Sequence, residues 1–176
     1  MVPDPIVQEI CRLWGEKLIL MAPDLVAGRG LSRFTSSVLT DVGLPDECPY
    51  QWGFYQDERR LEPITVAGSD YLLLGGDLPY EVWGVKVGAE DVWSLDPGGG
   101  RSAVFMNSRA SDLVRFLGLY VSLYTSRPGL DEISNGDAQV IVDELRAQFE
   151  LRDARALERT GYWWSLVLEQ VSDGLL

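Results

Sequence analysis

Between Asp91 and Tyr124 the spacing of apolar positions changes from that of a strand to that of a helix. Val92-Trp93-Ser94-Leu95 is a short β-prone run, and Ala103-Val104-Phe105-Met106 runs back along it. The Asp96-Pro97-Gly98-Gly99-Gly100 segment between them is a reversal, since proline fixes one φ and glycine accepts positive φ without steric cost. Asn107-Ser108 then offers side-chain oxygens to the free N–H groups of a helix start. Leu113, Phe116, Leu117, Tyr120, Val121 and Tyr124 recur at i, i+3, i+4, i+7, i+8 and i+11, one face of a helix.

The same reading predicts the other elements. Residues 5–17 form a first helix, capped by Asp4, with Ile6, Ile10, Leu13 and Trp14 on one side. Leu18 to Ala22 continues that helix or forms a brief strand, and Pro23 ends it. Gly28 and Gly30 mark a loop. Ser32 to Asp41 is a second helix, with Phe34, Val38 and Val42 inward, Gly43 as C-cap and Pro45 blocking continuation. Short strands follow at 51–56, 63–66, 70–74 and 80–87. The run from Asp70 to Leu74 is apolar enough to be central, and Gly75-Gly76-Asp77 turns it. Residues 126–136 form a linker. Asp137 to Arg152 is a helix with Ile141, Val142, Leu145 and Phe149 inward; 153–159 is helical, Gly161 breaks it, and Tyr162 to Val171 is the last helix. Helices before and after a run of about six strands predict an α+β fold with a central antiparallel or mixed sheet, and argue against a doubly wound one. The chain is expected to be one domain, 1–176, with 126–176 as its C-terminal helical part.

Composition adds size and charge. Of the 176 residues 46% are hydrophobic and six are Trp, enough for a core without a disulfide or metal staple. The formal net charge is -12, most of it from the first hundred residues. Such a field repels a phosphate backbone, so no nucleic-acid partner is expected. It keeps a protein dispersed and can steer a basic partner. Cys11 and Cys48 match no C-x-x-C pattern and read as reduced, buried thiols of a cytoplasmic protein. The N-terminus lacks a basic and apolar leader, and Leu18 to Ala22 is too short to cross a bilayer, so no membrane partner is expected.

The chemistry is mostly that of exclusion. The chain has no histidine. That removes Ser-His-Asp and Cys-His catalysis and leaves two scattered cysteines unable to close a zinc site. The adjacent carboxylates Asp46/Glu47, Asp57/Glu58, Glu90/Asp91 and Asp143/Glu144 point apart on regular elements, so they read as solvated charge. Gly98-Gly99-Gly100 lacks the Lys and Ser/Thr of a phosphate loop and precedes a strand. No catalytic residue, cofactor or metal is therefore expected. Trp52, Trp83 and Trp93 on strands, and Tyr162-Trp163-Trp164 near the end, read as core, with an exposed ring as the sharper alternative. Asp77, Glu81, Glu90 and Asp91 flank the strands as solvated ends or as an acidic rim. With Trp83 they are the candidate partner-binding set.

Several segments together resemble the SUKH superfamily of bacterial toxin-immunity proteins, specifically its fourth immunity subgroup. They are Leu39-Thr40-Asp41-Val42-Gly43-Leu44-Pro45, Leu72-Leu73-Leu74-Gly75-Gly76-Asp77, Trp93-Ser94-Leu95-Asp96-Pro97, Val104-Phe105-Met106-Asn107-Ser108 leading into Phe116-Leu117-Gly118-Leu119-Tyr120, and Tyr162 to Gln170. The resemblance covers 32–176 and is weaker over 1–31. It implies an α+β fold and a non-catalytic protein that binds a cognate polymorphic toxin, often a nuclease or deaminase, and blocks it. The chain itself is expected to be a monomer or weak homodimer. A small-molecule-binding or regulatory module of the same fold is the alternative, and a carboxylate-based enzyme a distant third.

Overall fold

In the computed structural model, which describes residues 4–46, 48, 52–77, 81–96, 102–125 and 135–174, an antiparallel sheet carries helices from both ends of the chain on one face. The first helix, α1 (Pro5–Trp14), starts where expected: Asp4 accepts a hydrogen bond from the Ile6 N–H, and Pro5 sits at N1, where its missing donor costs nothing. The helical path tightens into a 3-10 turn over Gly15–Lys17. Leu18–Ile19 (β1) and Leu44–Pro45 (β2) form a separate two-stranded ribbon. Pro23 does not end a helix as the sequence suggested. It opens a short one, α2 (Pro23–Val26), because a proline at the first helical position breaks no bond.

The second expected helix is split. α3 (Arg33–Ser37) is capped by Ser32 and continues as a π turn over Val38–Val42, closed by a Gly43 N–H to Val38 carbonyl bond of 2.8 Å. Gly43, at φ +95°, lies so close to Ile19 that a Cβ would stand 2.6 Å from its carbonyl oxygen.

The main sheet runs β3 (Gly53–Phe54), β5 (Ser69–Asp77), β6 (Glu81–Lys86), β7 (Val92–Leu95), β8 (Ala103–Asn107), and β4 (Pro63–Val66) also pairs with β5. Every pairing is antiparallel. β5 is central as its apolar run suggested, and two short strands share its outer edge: β4 along Ser69–Leu72, β3 along Gly75–Gly76. A bulge between Leu73 and Gly75 re-aims the strand between them. Gly75-Gly76-Asp77 is therefore strand rather than the expected turn. Glycine is needed for close approach: a Cβ on Gly75 would sit 2.0 Å from the Gly53 carbonyl oxygen. The hairpin β7–β8 and its partner helix α4 (Ala110–Thr125) match the pattern read from 91–124. Its turn at 97–101, and 126–134 of the expected linker, lie outside the described residues.

One sheet face holds Leu72, Trp83, Val85, Val92 and Met106 against α1, α4 and the C-terminal helices. The other carries a smaller cluster of Tyr55, Val66, Tyr71, Leu73, Val82 and Leu95. α4 is buried well beyond its expected stripe, with Val114 and Leu119 also inside. Trp14 of α1 crosses it where Gly118 leaves room, and its indole N–H donates to the Val114 carbonyl at 2.9 Å. α5 (Asn135–Asp153) buries Ile141, Val142, Leu145 and Phe149, a 3-10 turn follows over Ala154–Leu157, and α6 (Trp163–Ser172) buries Trp163, Trp164, Val167, Leu168 and Val171.

Candidate functional site

The five residues singled out from the sequence do not form one rim. Asp77 and Glu81 face each other in backbone register where β5 meets β6, while Glu90 and Asp91 lie beyond the opposite end of β6. The five residue steps from Glu81 to Lys86 alone span about 17 Å at the usual strand rise. Trp83 has no exposed surface at all, so it is a core side chain.

Glu81 is the centre of an aromatic cluster. It shares a strand face with Trp83, two residues on, and with Ser94, which pairs with Trp83 across the β6–β7 ladder. Its carboxylate accepts from the Trp83 indole N–H at 2.9 Å, the Trp163 indole N–H at 3.0 Å and the Ser94 hydroxyl at 2.6 Å. The Trp52, Trp83 and Trp163 rings meet edge-on or tilted, with centroids 5.1 to 6.4 Å apart, the favoured geometry for aromatic quadrupoles. These rings pack against one another instead of lining a ligand pocket. The negative charge of Glu81 thus serves the interior.

Glu90 and Asp91 are also occupied from within. Glu90 occupies a left-handed position, φ +67°, in the β6–β7 turn. There its carboxylate accepts from the Ser32 N–H, the Ser32 hydroxyl and the Thr35 hydroxyl, clamping the start of α3. Burial pushes its pKa up, but these donors and the nearby Arg109 outweigh it, so the carboxyl titrates below its ordinary value. Asp91 takes both Arg155 guanidinium nitrogens, at 3.1 and 3.3 Å, and Arg155 lies 4.2 Å over the Phe105 ring. Glu81, Glu90 and Asp91 therefore tie three parts of the chain to the sheet. Sequence reading missed their partners Ser32, Thr35, Arg155 and Trp163. Only Ser94 could have been found, from its place opposite Trp83 in the hairpin.

A second polar cluster lies behind the helices. Glu9 of α1 bridges Arg115 of α4, at 2.7 Å, and Arg152 of α5. Burial raises its pKa, and the two guanidinium groups more than reverse that, leaving it lowered. Asn107 and Ser108 do not serve as the expected helix cap. The Ser108 N–H and hydroxyl donate to Asp153 at 2.8 and 2.9 Å, the Asn107 side chain accepts from the Trp164 indole N–H at 2.8 Å, and the first turn of α4 closes on the Arg109 carbonyl. Asp112 is nearly buried, beside Asp153 and bonded to Arg115 at 3.0 Å. Desolvation, and then repulsion from Asp153, push its pKa up to about 6 against the pull of Arg115 and Arg109.

The native state consequently holds a proton on Asp112 more tightly than the unfolded chain does. Its contribution is largest below about pH 4 and is lost as the pH rises through about 6. Replacing Asp112 with Asn is expected to flatten this dependence. Relative to wild type, the variant should gain on the order of 2–3 kcal/mol of unfolding free energy between pH 4 and pH 7. Urea titrations at both pH values check this, and an unchanged difference between the two proteins would refute it.

Cys11 is exposed and Cys48 half-buried, and both are free; burial pushes the Cys48 thiol up to about 12. The expectation that both are buried fails for Cys11, which faces outward on α1. Among the described residues no group of three or more His, Cys, Asp or Glu is placed to hold a metal, and no helix is long and apolar enough to cross a membrane.

A family model described as SUKH-4 immunity protein matches residues 7–170. The match takes in most of the N-terminal segment over which the sequence resemblance was weak, including α1. No curated protein and no solved structure matches the chain.

Proposed function

Because the chain belongs to the SUKH-4 immunity protein family, whose function is immunity against a toxin, we propose that it binds one cognate toxin protein and neutralises it by covering the cleft in which that toxin works. The observation that carries this reading is the charge. A net charge of -12 on 176 residues suits a partner with a basic surface. A toxin that acts on nucleic acid, as a nuclease or a deaminase does, needs such a surface to hold phosphates. Opposed potentials speed encounter and exclude wrong partners. The missing histidine fits an action by occlusion, since the residue most suited to proton transfer near neutral pH is not there.

Co-expression with polymorphic toxins, beginning with any toxin-like gene beside this one, provides the test. Growth should be restored, and the two purified proteins should form a complex whose association slows by about tenfold or more between low and physiological salt. Toxicity that persists at equal expression, with no complex detected, sinks the proposal. A complex whose toxin stays active would remove the occlusion mechanism.

A further inference from the structure

We propose that the surface formed by β1, α2 and the end of β6 is a two-fold interface through which the chain pairs with a second copy of itself. Six large apolar side chains stand exposed among the described residues, and three of them gather here: Leu20 at 55% exposure, Leu25 at 38% and Val87 at 38%. The chain brings them together stepwise. After β1, Leu20, Met21 and Ala22 alternate outward, inward and outward, so Leu20 and Ala22 share one side. The Ala22 carbonyl accepts from the Leu25 N–H at 3.0 Å, and the Leu25 carbonyl accepts from the Arg29 guanidinium at 3.1 Å. Gly30, the next residue, lies against Val87: a Cβ there would stand 3.3 Å from the Val87 Cγ1. Ala22, Pro23 and Ala27 are exposed between these points. A run of apolar surface left open to water marks a place of contact with another molecule.

Charge decides what covers it. The chain carries -12 overall, and a field of that size holds identical molecules apart. The stretch 16–33 departs from this balance, since Lys17, Arg29 and Arg33 outnumber Glu16 and Asp24. Glu90, the acid that reaches this region from the β6–β7 turn, is taken up by Ser32 and Thr35. A basic toxin surface is repelled by such a patch, whereas two copies of this chain can meet here without opposing their acidic faces. Both signs are also present and unpaired. Asp24 and Arg33 are exposed and make no ion pair among the described residues. A two-fold contact needs a surface that complements itself, and an acid and a base flanking one apolar strip meet that requirement reciprocally. β1 contributes a further element. Among the described residues it pairs only with β2, so its other edge is open, and a two-fold axis brings two such edges together antiparallel. Three side chains and one short strand make a small contact, so the pair is weak.

Sedimentation equilibrium of the full chain, without any partner, tests this independently of the toxin reading. The wild type should dimerise with a dissociation constant on the order of 100 µM or tighter at about 300 mM salt. Lowering the salt to about 50 mM should weaken the dimer roughly threefold or more, because the repulsion between two acidic molecules is then less screened. That is the opposite sign from a complex with a basic toxin. Leu20→Glu/Leu25→Glu should weaken dimerisation about tenfold or more at the higher salt, and the uncharged Leu20→Ser/Leu25→Ser should do so about fivefold. Val140→Glu/Leu151→Glu puts the same added charge on exposed apolar positions of α5 and should stay within about threefold of wild type. Circular dichroism melts establish that each variant is folded, and the serine variant decides if the glutamate one is not. A wild type that stays monomeric at about 500 µM in about 300 mM salt overturns the proposal and leaves the patch to a different partner. Equal losses in the β1–α2 and α5 glutamate variants, or a serine variant that dimerises like wild type, overturn it as well.

Discussion

Trp164→Ala should be the most damaging single substitution in the molecule. The indole is completely buried, with ring centroids 4.8 Å from Phe149, 5.4 Å from Phe116 and 4.7 Å from Trp163. Truncating a buried tryptophan costs about 3–5 kcal/mol in lost transfer energy and residual cavity. The stacked pair Phe116–Phe149, 3.9 Å apart and nearly parallel, is fixed from both sides and limits collapse into the space. The substitution also strips the Asn107 side chain of its donor. Asn107 is fully buried, and a buried acceptor left without a donor costs about 1–3 kcal/mol more. A total of about 4–8 kcal/mol matches the whole stability of many domains. The variant should therefore lose its cooperative urea transition or have it shifted to the lowest denaturant concentrations. Trp164→Phe, which keeps most of the ring volume, should recover more than half. A loss under about 1 kcal/mol in the alanine variant would show that the ring is not core.

Glu81→Ala should come second. One carboxylate serves two indole N–H groups and one hydroxyl, and their residues Trp83, Trp163 and Ser94 are all buried. Removing it takes away the only acceptor these donors have among the described residues. At about 1–3 kcal/mol for each buried orphan, discounted because Glu81 itself is partly open to water, about 3–4 kcal/mol is expected. Glu81→Gln retains one oxygen and should cost about half as much. Equilibrium unfolding measures both, and tryptophan fluorescence adds a local report, since Trp83 and Trp163 lose their charged neighbour. If Glu81→Ala left stability intact and only slowed toxin association, Glu81 would belong to the binding surface, as the sequence alone suggested.

That contrast shows what the sequence can and cannot convey. The β7–β8 hairpin and α4 were legible because their signals are local: period two, a Pro-Gly reversal, then period 3.6. The core role of Trp164 was legible too, because a buried face repeats at helical spacing. The strand-end acids were not. An acidic residue beside a strand reads the same whether it faces water or a tryptophan brought from 82 positions away, as Trp163 is to Glu81. Gly75 and Gly76 failed for a related reason. Glycine signals either a turn or close backbone approach, and only the pairing of β3 with β5 decides between them.

The tie between the hairpin and the last helices has a consequence for how a newly made chain matures. The sheet and α4 are complete by residue 125, yet the aromatic layer against Glu81 and Asn107 is supplied by residues 163 and 164. During synthesis from the N-terminus, the sheet must wait with that side open, a surface that invites wrong associations until the remaining turns emerge. Stop codons placed between 126 and 162 should thus yield material that chaperones retain or proteases remove, not a smaller working protector.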